Sequence, residues 1–96
     1  MTAVAVAAPL SLPERLTLVE ADHTLARLGA ELRSHSDQTV EIDAASLQVF
    51  DSSALSVLLE LRRRVLAQGR ELRVSGWPRR LEDLASLYGV RELLAA

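Results

Sequence analysis

Short segments with a two-residue hydrophobic period alternate along this chain with segments whose apolar residues recur at helical spacing. Residues 15–19, 39–43 and 71–75 alternate polar and apolar side chains, which predicts three strands. The mostly apolar residues 47–50 predict a fourth, short strand. Helical segments lie between and after these strands. The order β-α-β-β-α-β-α therefore predicts a single α/β domain with a small, mostly parallel or mixed sheet.

Three helices are predicted. In the first, Asp22 is the candidate N-cap and precedes leucines at helical spacing, Leu25, Leu28 and Leu32. The second spans residues 54–68 and ends at Gly69, a residue type common at helix C-termini. The third begins near Pro78, and its apolar stripe is predicted to face the core: Leu81, Leu84, Ala85 and Tyr88.

Length and composition limit the function classes open to the chain. Its 96 residues suffice for one domain, predicted over residues 13–96, with the Ala-rich residues 1–12 as a flexible extension. A net charge of −2 offers no electrostatic footprint for nucleic acid. No apolar stretch approaches the roughly 20 residues of a membrane helix, so direct membrane insertion is not expected. Cysteine is absent from the sequence, which excludes thiol chemistry and fits a cytoplasmic location.

The second helix has more apolar surface than one buried face requires. One side carries Ala54, Val57, Leu58, Leu61 and Val65, and a second patch carries Leu55, Leu59 and Leu66. Together the two patches span roughly 200° of the helix, about twice the stripe of an ordinary surface helix. The strip containing Ser52, Ser56, Leu59 and Arg63 is therefore predicted to be a protein interface. The alternative is that flanking loops or the first helix cover the second patch.

Asp51, Ser52 and Ser53 stand at the start of this second helix. Their first interpretation is capping, in which hydroxyl and carboxylate oxygens accept hydrogen bonds from free N–H groups. The other is a contact or switch point at Ser52 or Ser53. A phosphate there would lie at the positive end of the helix dipole and would add about two negative charges to a docking surface.

Enzymatic chemistry is not expected. A catalytic serine needs a positioned base, whereas His23 and His35 lie in or just after the first helix. The two histidines also lack metal-ligand spacing, and no Gly-rich phosphate loop is present. The sequence therefore predicts no catalytic residue, no metal site and no cofactor.

Two motifs resemble the STAS family, named for sulfate transporters and anti-sigma factor antagonists. The family hallmark, Asp-Ser-Ser/Ala-Gly-Leu opening a helix, is similar to residues 51–55, Asp-Ser-Ser-Ala-Leu, with Ala54 in place of the usual glycine. Residues 84–90, Leu-Ala-Ser-Leu-Tyr-Gly-Val, resemble the Leu-Ala-x-Leu-Tyr segment of MlaB-type members. The resemblance extends over nearly all of the chain beyond Pro13.

The resemblance implies a cytoplasmic, non-enzymatic subunit of the Mla system, which moves phospholipid between the inner and outer membranes of Gram-negative bacteria. Its partner would be the ABC-transporter ATPase, MlaF-like, and through it the membrane permease, which would hold the protein at the inner membrane. We expect the partner-binding residues to be Asp51, Ser52, Ser53, Leu55, Ser56, Leu59 and Arg63. The alternative is an anti-sigma factor antagonist switched by phosphorylation of a serine, Ser53 or Ser52.

Overall fold

The chain forms a small α/β domain, described for residues 10–94 by a computed structural model. Its elements in chain order are β1 Leu10–Ser11, β2 Arg15–Leu16, α1 Leu18–Arg33, β3 Thr39–Asp43, β4 Val49–Phe50, α2 Ser53–Ala67, β5 Glu71–Ser75, α3 Arg79–Leu87 and α4 Arg91–Leu94. The predicted α/β class and element order are confirmed. The structure adds one strand at the start, β1, and one short helix at the end, α4.

All strand pairs in the described residues are parallel, and they form two small sheets. The first has the order β1-β3-β5, and the second pairs β2 with β4. Val40 and Ile42 of β3 are buried, as their alternation with polar residues predicts. The pairing in each sheet continues past the strand ends. Leu12 donates its N–H to the carbonyl of Asp43 at 2.9 Å beside the β1–β3 pair, and Val49 donates to the carbonyl of Glu14 at 3.0 Å beside the β2–β4 pair.

The first strand lies inside the segment predicted to be a flexible extension. Leu10 pairs with Ile42 in the sheet, and Leu10 and Leu12 are buried in the core. The ordered domain therefore includes residues 10–12, which the sequence-based boundary at residue 13 left out. A two-residue strand carries no periodicity of its own, and the edge of β3 supplies its pairing. The rest of that predicted extension, residues 1–9, lies outside the described residues.

The first helix begins earlier than predicted. Its N-cap is Thr17, which accepts a hydrogen bond from the N–H of Val19, while the Glu20 carboxylate accepts one from the N–H of Thr17 at 2.9 Å. This reciprocal capping box replaces the predicted cap at Asp22, which is an exposed residue within the helix. The predicted strand over residues 15–19 therefore shortens to two residues. As a result, Leu18 is 77% exposed in the first helical turn rather than buried beside Leu16.

The core lies between the sheets and the buried face of α2. This helix contacts α1, β5 and α4, and its first apolar patch is buried as predicted. The buried apolar residues from the other elements and loops are mainly leucine and valine, together with Ile42: Leu10, Leu12, Leu16, Leu28, Leu32, Val40, Ile42, Ala44, Leu47, Leu72, Val74, Leu81, Ala85 and Leu94. Burial of these aliphatic side chains provides the hydrophobic stabilisation of the core in a chain with 3% aromatic residues.

The last two helices are held to the sheet by Trp77 and Arg91. The indole N–H of Trp77 donates to the carbonyl of Val74 at 3.0 Å, and the Arg91 guanidinium lies 4.5 Å from the centre of the indole ring. Arg91 also binds the Glu82 carboxylate at 2.8 Å, which ties α4 to α3. Pro78 is the N-cap residue of α3, so it lies one position before the helix that it was predicted to begin.

Two glycines in left-handed conformations differ in how closely other atoms approach them. Gly76 and Gly89 have φ angles of 65° and 72°. A Cβ at Gly76 would lie 2.7 Å from Oδ1 of Asp43 and 3.1 Å from the N atom of Ala45, whereas a Cβ at Gly89 would meet nothing within 4 Å. An alanine at position 89 would therefore introduce backbone strain alone, whereas an alanine at position 76 would introduce the same strain and a steric clash.

We expect Gly89→Ala to lower the free energy of unfolding by about 1–2 kcal/mol, the cost of placing a Cβ in the left-handed region. Gly76→Ala should cost roughly 1 kcal/mol more, because the loop after β3 must move to admit the methyl group. Urea unfolding of both variants measures the difference. Equal losses would contradict the close approach of this loop to Gly76.

Candidate functional site

Asp51 joins the start of α2 to the start of α1. Its Oδ1 atom accepts a hydrogen bond from the N–H of Ser53 at 2.8 Å, and its Oδ2 atom accepts one from the N–H of Leu18 at 3.2 Å. These bonds, that from Ser53 foremost, lower the pKa of Asp51 below its usual value. One carboxylate therefore satisfies free N–H groups of two helices and fixes the position of the serines that follow it.

The lowered pKa of Asp51 predicts an acid-sensitive contribution to stability. A carboxylate whose pKa is lower in the folded state stabilises the protein at pH values above its unfolded value of about 3.8. This stabilisation is lost as the pH falls through the folded pKa. We expect Asp51→Asn to have a lower Tm than the wild type at pH 7, and we expect the gap to narrow below pH 3.8. A gap in Tm that stays constant down to pH 2.5 would contradict this role.

Ser52 is left with a free hydroxyl at the position where a capping side chain would bond. It is the N-cap residue of α2, but its side chain makes no capping hydrogen bond, and it is exposed. Capping by a serine hydroxyl is therefore wrong for Ser52, because its backbone is already helical (φ −63°, ψ −14°) and the N–H of Ala54, which a capping side chain could bind, donates to the carbonyl of Asp51 at 3.1 Å. The Ser52 hydroxyl remains available to a partner. Ser53 is half-buried beside it.

Two open grooves meet at Ser52 and Tyr88. The first, about 370 Å³, runs along α2 and is lined by Ser52, Leu55, Ser56, Leu59, Tyr88 and Val90. The second, about 460 Å³, lies between the β4–α2 loop and α3 and is lined by Phe50, Asp51, Ser52, Arg80, Asp83, Leu84, Leu87 and Tyr88. The residues of both grooves are called the docking surface below. It combines apolar side chains with hydroxyl and charged groups, as protein interfaces do.

The second apolar patch of α2 is less exposed than its position on the helix suggests. Leu55 is buried, Leu59 is half-buried against the core, and Leu66 is 45% exposed and lies outside both grooves. The alternative that neighbouring elements cover the second patch therefore holds for Leu55 and in part for Leu59. Leu55 and Leu59 line the first groove, and residues from the end of α3 form its other side.

The end of α3 supplies the most exposed apolar side chains of the docking surface. Leu87 is 79% exposed and Tyr88 is 58% exposed, whereas Leu81 and Ala85 of the same helix are buried. The prediction that Tyr88 completes the buried stripe is wrong, because the stripe leaves the core before the helix ends. The sequence did contain one indication of this exposed surface, because Leu87 is an apolar residue that lies off the predicted buried stripe.

Arg80 and Asp83 add charge to the second groove. The Arg80 guanidinium lies 5.0 Å from the centre of the Phe50 ring, within the range of a cation–π contact. Asp83 is exposed and lines the same groove. Neither residue was among those expected at the interface, because only the position of α3 beside the β4–α2 loop brings them to Ser52.

Arg63 lies outside both grooves of the docking surface. Its guanidinium binds the Glu60 carboxylate, and the closest nitrogen–oxygen distance is 2.6 Å. It lines a separate groove between α1 and α2. Arg63 and Arg64 together lower the pKa of Glu60 to about 2. The structure therefore brings Ser52, Leu55, Ser56 and Leu59 together in one groove. Arg63 lies in a different groove.

Within residues 10–94, no cluster of three or more histidine, aspartate or glutamate side chains is arranged to hold a metal ion. His23 is exposed on α1, and His35 is half-buried in the loop after it. Over the same residues, each helix is too short or too polar to cross a membrane.

One comparison with known proteins identifies a family for this chain. A family model described as "Mlab, STAS domain" matches residues 2–95. No match was found among curated proteins. The family match covers nearly the whole chain, and the parallel strands, α2 and α3 are the elements that the resemblance at residues 51–55 and 84–90 led us to expect. The chain belongs to the STAS domain family, in its MlaB-like branch.

Proposed function

We propose that this protein is a non-enzymatic STAS subunit that binds the ATPase of an ABC transporter moving phospholipid between the bacterial inner and outer membranes. Membership of the MlaB-like branch supports the transporter system. The free hydroxyl of Ser52, placed where the two grooves meet, is the observation that carries the docking role. Through the ATPase, the protein would reside on the cytoplasmic side of the inner membrane.

The chemistry of the docking surface fits a helix or loop of a folded partner. Leu87 and Tyr88 offer exposed apolar area at its centre, and tyrosine is enriched among the residues that dominate binding energy. The Ser52 and Ser56 hydroxyls offer hydrogen bonds beside them. Asp51 fixes the start of α2 before binding, so little ordering is required when a partner arrives.

The direct test is affinity capture of the tagged protein from solubilised membranes of its own bacterium, followed by mass spectrometry. We expect an ABC ATPase together with its permease. Recovery of a serine kinase or an anti-sigma factor in their place would overturn the transporter role. It would assign the protein to phospho-regulated signalling, with Ser53 as the residue to examine by intact-mass measurement. Untagged cells processed in parallel provide the background control.

A further inference from the structure

Three arginines line a groove between the C-terminal halves of α1 and α2. The groove is distinct from the docking surface and has a volume of about 260 Å³. Its lining residues are Gly29, Leu32, Arg33, Arg63, Arg64, Ala67 and Gln68. The apolar residues and Gly29 form part of its wall, and the guanidinium groups and one amide supply its polar atoms.

The groove is positively charged even after its internal ion pairs are counted. Arg63 and Arg64 share one carboxylate, that of Glu60, at 2.6 and 2.9 Å. Arg33 has no carboxylate within 4 Å among residues 10–94. Three guanidinium groups and one carboxylate leave two positive charges. The C-terminal ends of α1 and α2 each contribute about half a negative charge, so a net charge of roughly +1 remains.

Two of the guanidinium groups are held in place before any ligand binds. Glu60 accepts hydrogen bonds from both Arg63 and Arg64, and its pKa of about 2 keeps it ionised at neutral pH. Gly29 allows Arg64 to lie against the backbone of α1, because a Cβ at this position would lie 2.7 Å from the Nη1 atom of Arg64. Positioning of this kind reduces the entropy lost on binding.

We propose that this groove binds a phosphate group, carried either on a phospholipid headgroup or on a small soluble molecule. A guanidinium group binds phosphate oxygens through two parallel N–H bonds, a geometry that the ammonium group of lysine does not provide. Leu32 and Ala67, which line the same groove, offer apolar contact to the remainder of the ligand. Ser52 and Arg63 are separated by about 16 Å along the helix axis, so both surfaces can be occupied together.

The test is a ¹⁵N NMR titration of the full chain with pyrophosphate, against sodium chloride of equal ionic strength. Saturable shifts of the Nε–Hε resonances of Arg33, Arg63 and Arg64 are expected. The double variant Arg33→Gln/Arg63→Gln should bind at least about tenfold more weakly, since each charged hydrogen bond contributes substantially to binding. This variant retains Arg64, so Glu60 keeps a partner. The control double variant Arg73→Gln/Arg79→Gln removes the same charge elsewhere and should bind as the wild type does.

Co-sedimentation with vesicles identifies the carrier of the phosphate. Binding to phosphatidylglycerol vesicles, lost in the Arg33→Gln/Arg63→Gln variant but kept in the control variant, would assign a lipid headgroup. Pyrophosphate binding without vesicle binding would assign a soluble phosphate compound. Equal shifts of all arginine resonances, or equal pyrophosphate binding by the two double variants, would overturn the proposal, because they would indicate nonspecific attraction to surface charge.

Discussion

Replacing Ser52 by glutamate is expected to weaken binding to the captured ATPase by at least about 100-fold. The new carboxylate would enter the junction of the two grooves, beside the carboxylate of Asp51. Leaving a charge unpaired inside a desolvated contact costs about 3 kcal/mol or more, which corresponds to this factor. The loss should persist at raised salt, because desolvation rather than long-range repulsion causes most of it.

The control variant is Ser36→Glu, which adds the same charge in the exposed loop after α1. This loop precedes β3, near the C-terminal end of α2, so the substitution lies far from the docking surface. Surface plasmon resonance with immobilised ATPase compares the two variants with the wild type. Ser52→Glu should keep a Tm near that of the wild type, since a negative charge at a helix N-terminus is tolerated. Wild-type affinity in a folded Ser52→Glu variant would remove this face from the interface.

The regular part of the fold could be read from the sequence because its signals are local. Strands β3 and β5 keep a strict two-residue period, and α2 combines an unbroken apolar face with Gly69 at its end. The start of α1 was misread because the five residues 15–19 alternate like a strand, while the Thr17–Glu20 capping box favours a helix over the same span. The hydrogen bonds of the capping box stabilise the helix more than a five-residue alternation favours a strand.

The candidate site could be read only in part, because half of it is contributed by another element. The spacing predicted that Ser52, Ser56, Leu59 and Arg63 share one strip of α2. The first three do lie together with Leu55, whereas Arg63 lines a different groove. Tyr88 is the C-cap residue of α3, and its exposure depends on how far the neighbouring elements extend along that helix. Helical periodicity gives the direction of a side chain but not the extent of the surface that covers it.

A comparison of two leucines separates the core from the docking surface. Leu61 of α2 is fully buried, whereas Leu87 of α3 is 79% exposed. We expect Leu61→Ala to lower the free energy of unfolding by about 2–5 kcal/mol, because the lost burial is joined by an unfilled cavity. In a domain of this size such a loss lowers the Tm by roughly 10 °C or more and approaches the whole stability of a marginal fold.

Leu87→Ala removes the same atoms from a position where water already surrounds them, so stability should change by no more than about 0.5 kcal/mol. The substitution should instead weaken binding to the ATPase by roughly tenfold, because an apolar side chain that contacts the partner is lost. Urea unfolding and surface plasmon resonance on both variants separate these effects. A large loss of stability in Leu87→Ala would mean that Leu87 is covered in the free protein. The apolar part of the docking surface would then have to be sought elsewhere, beginning with the exposed side chains of Leu18 and Val19 at the start of α1.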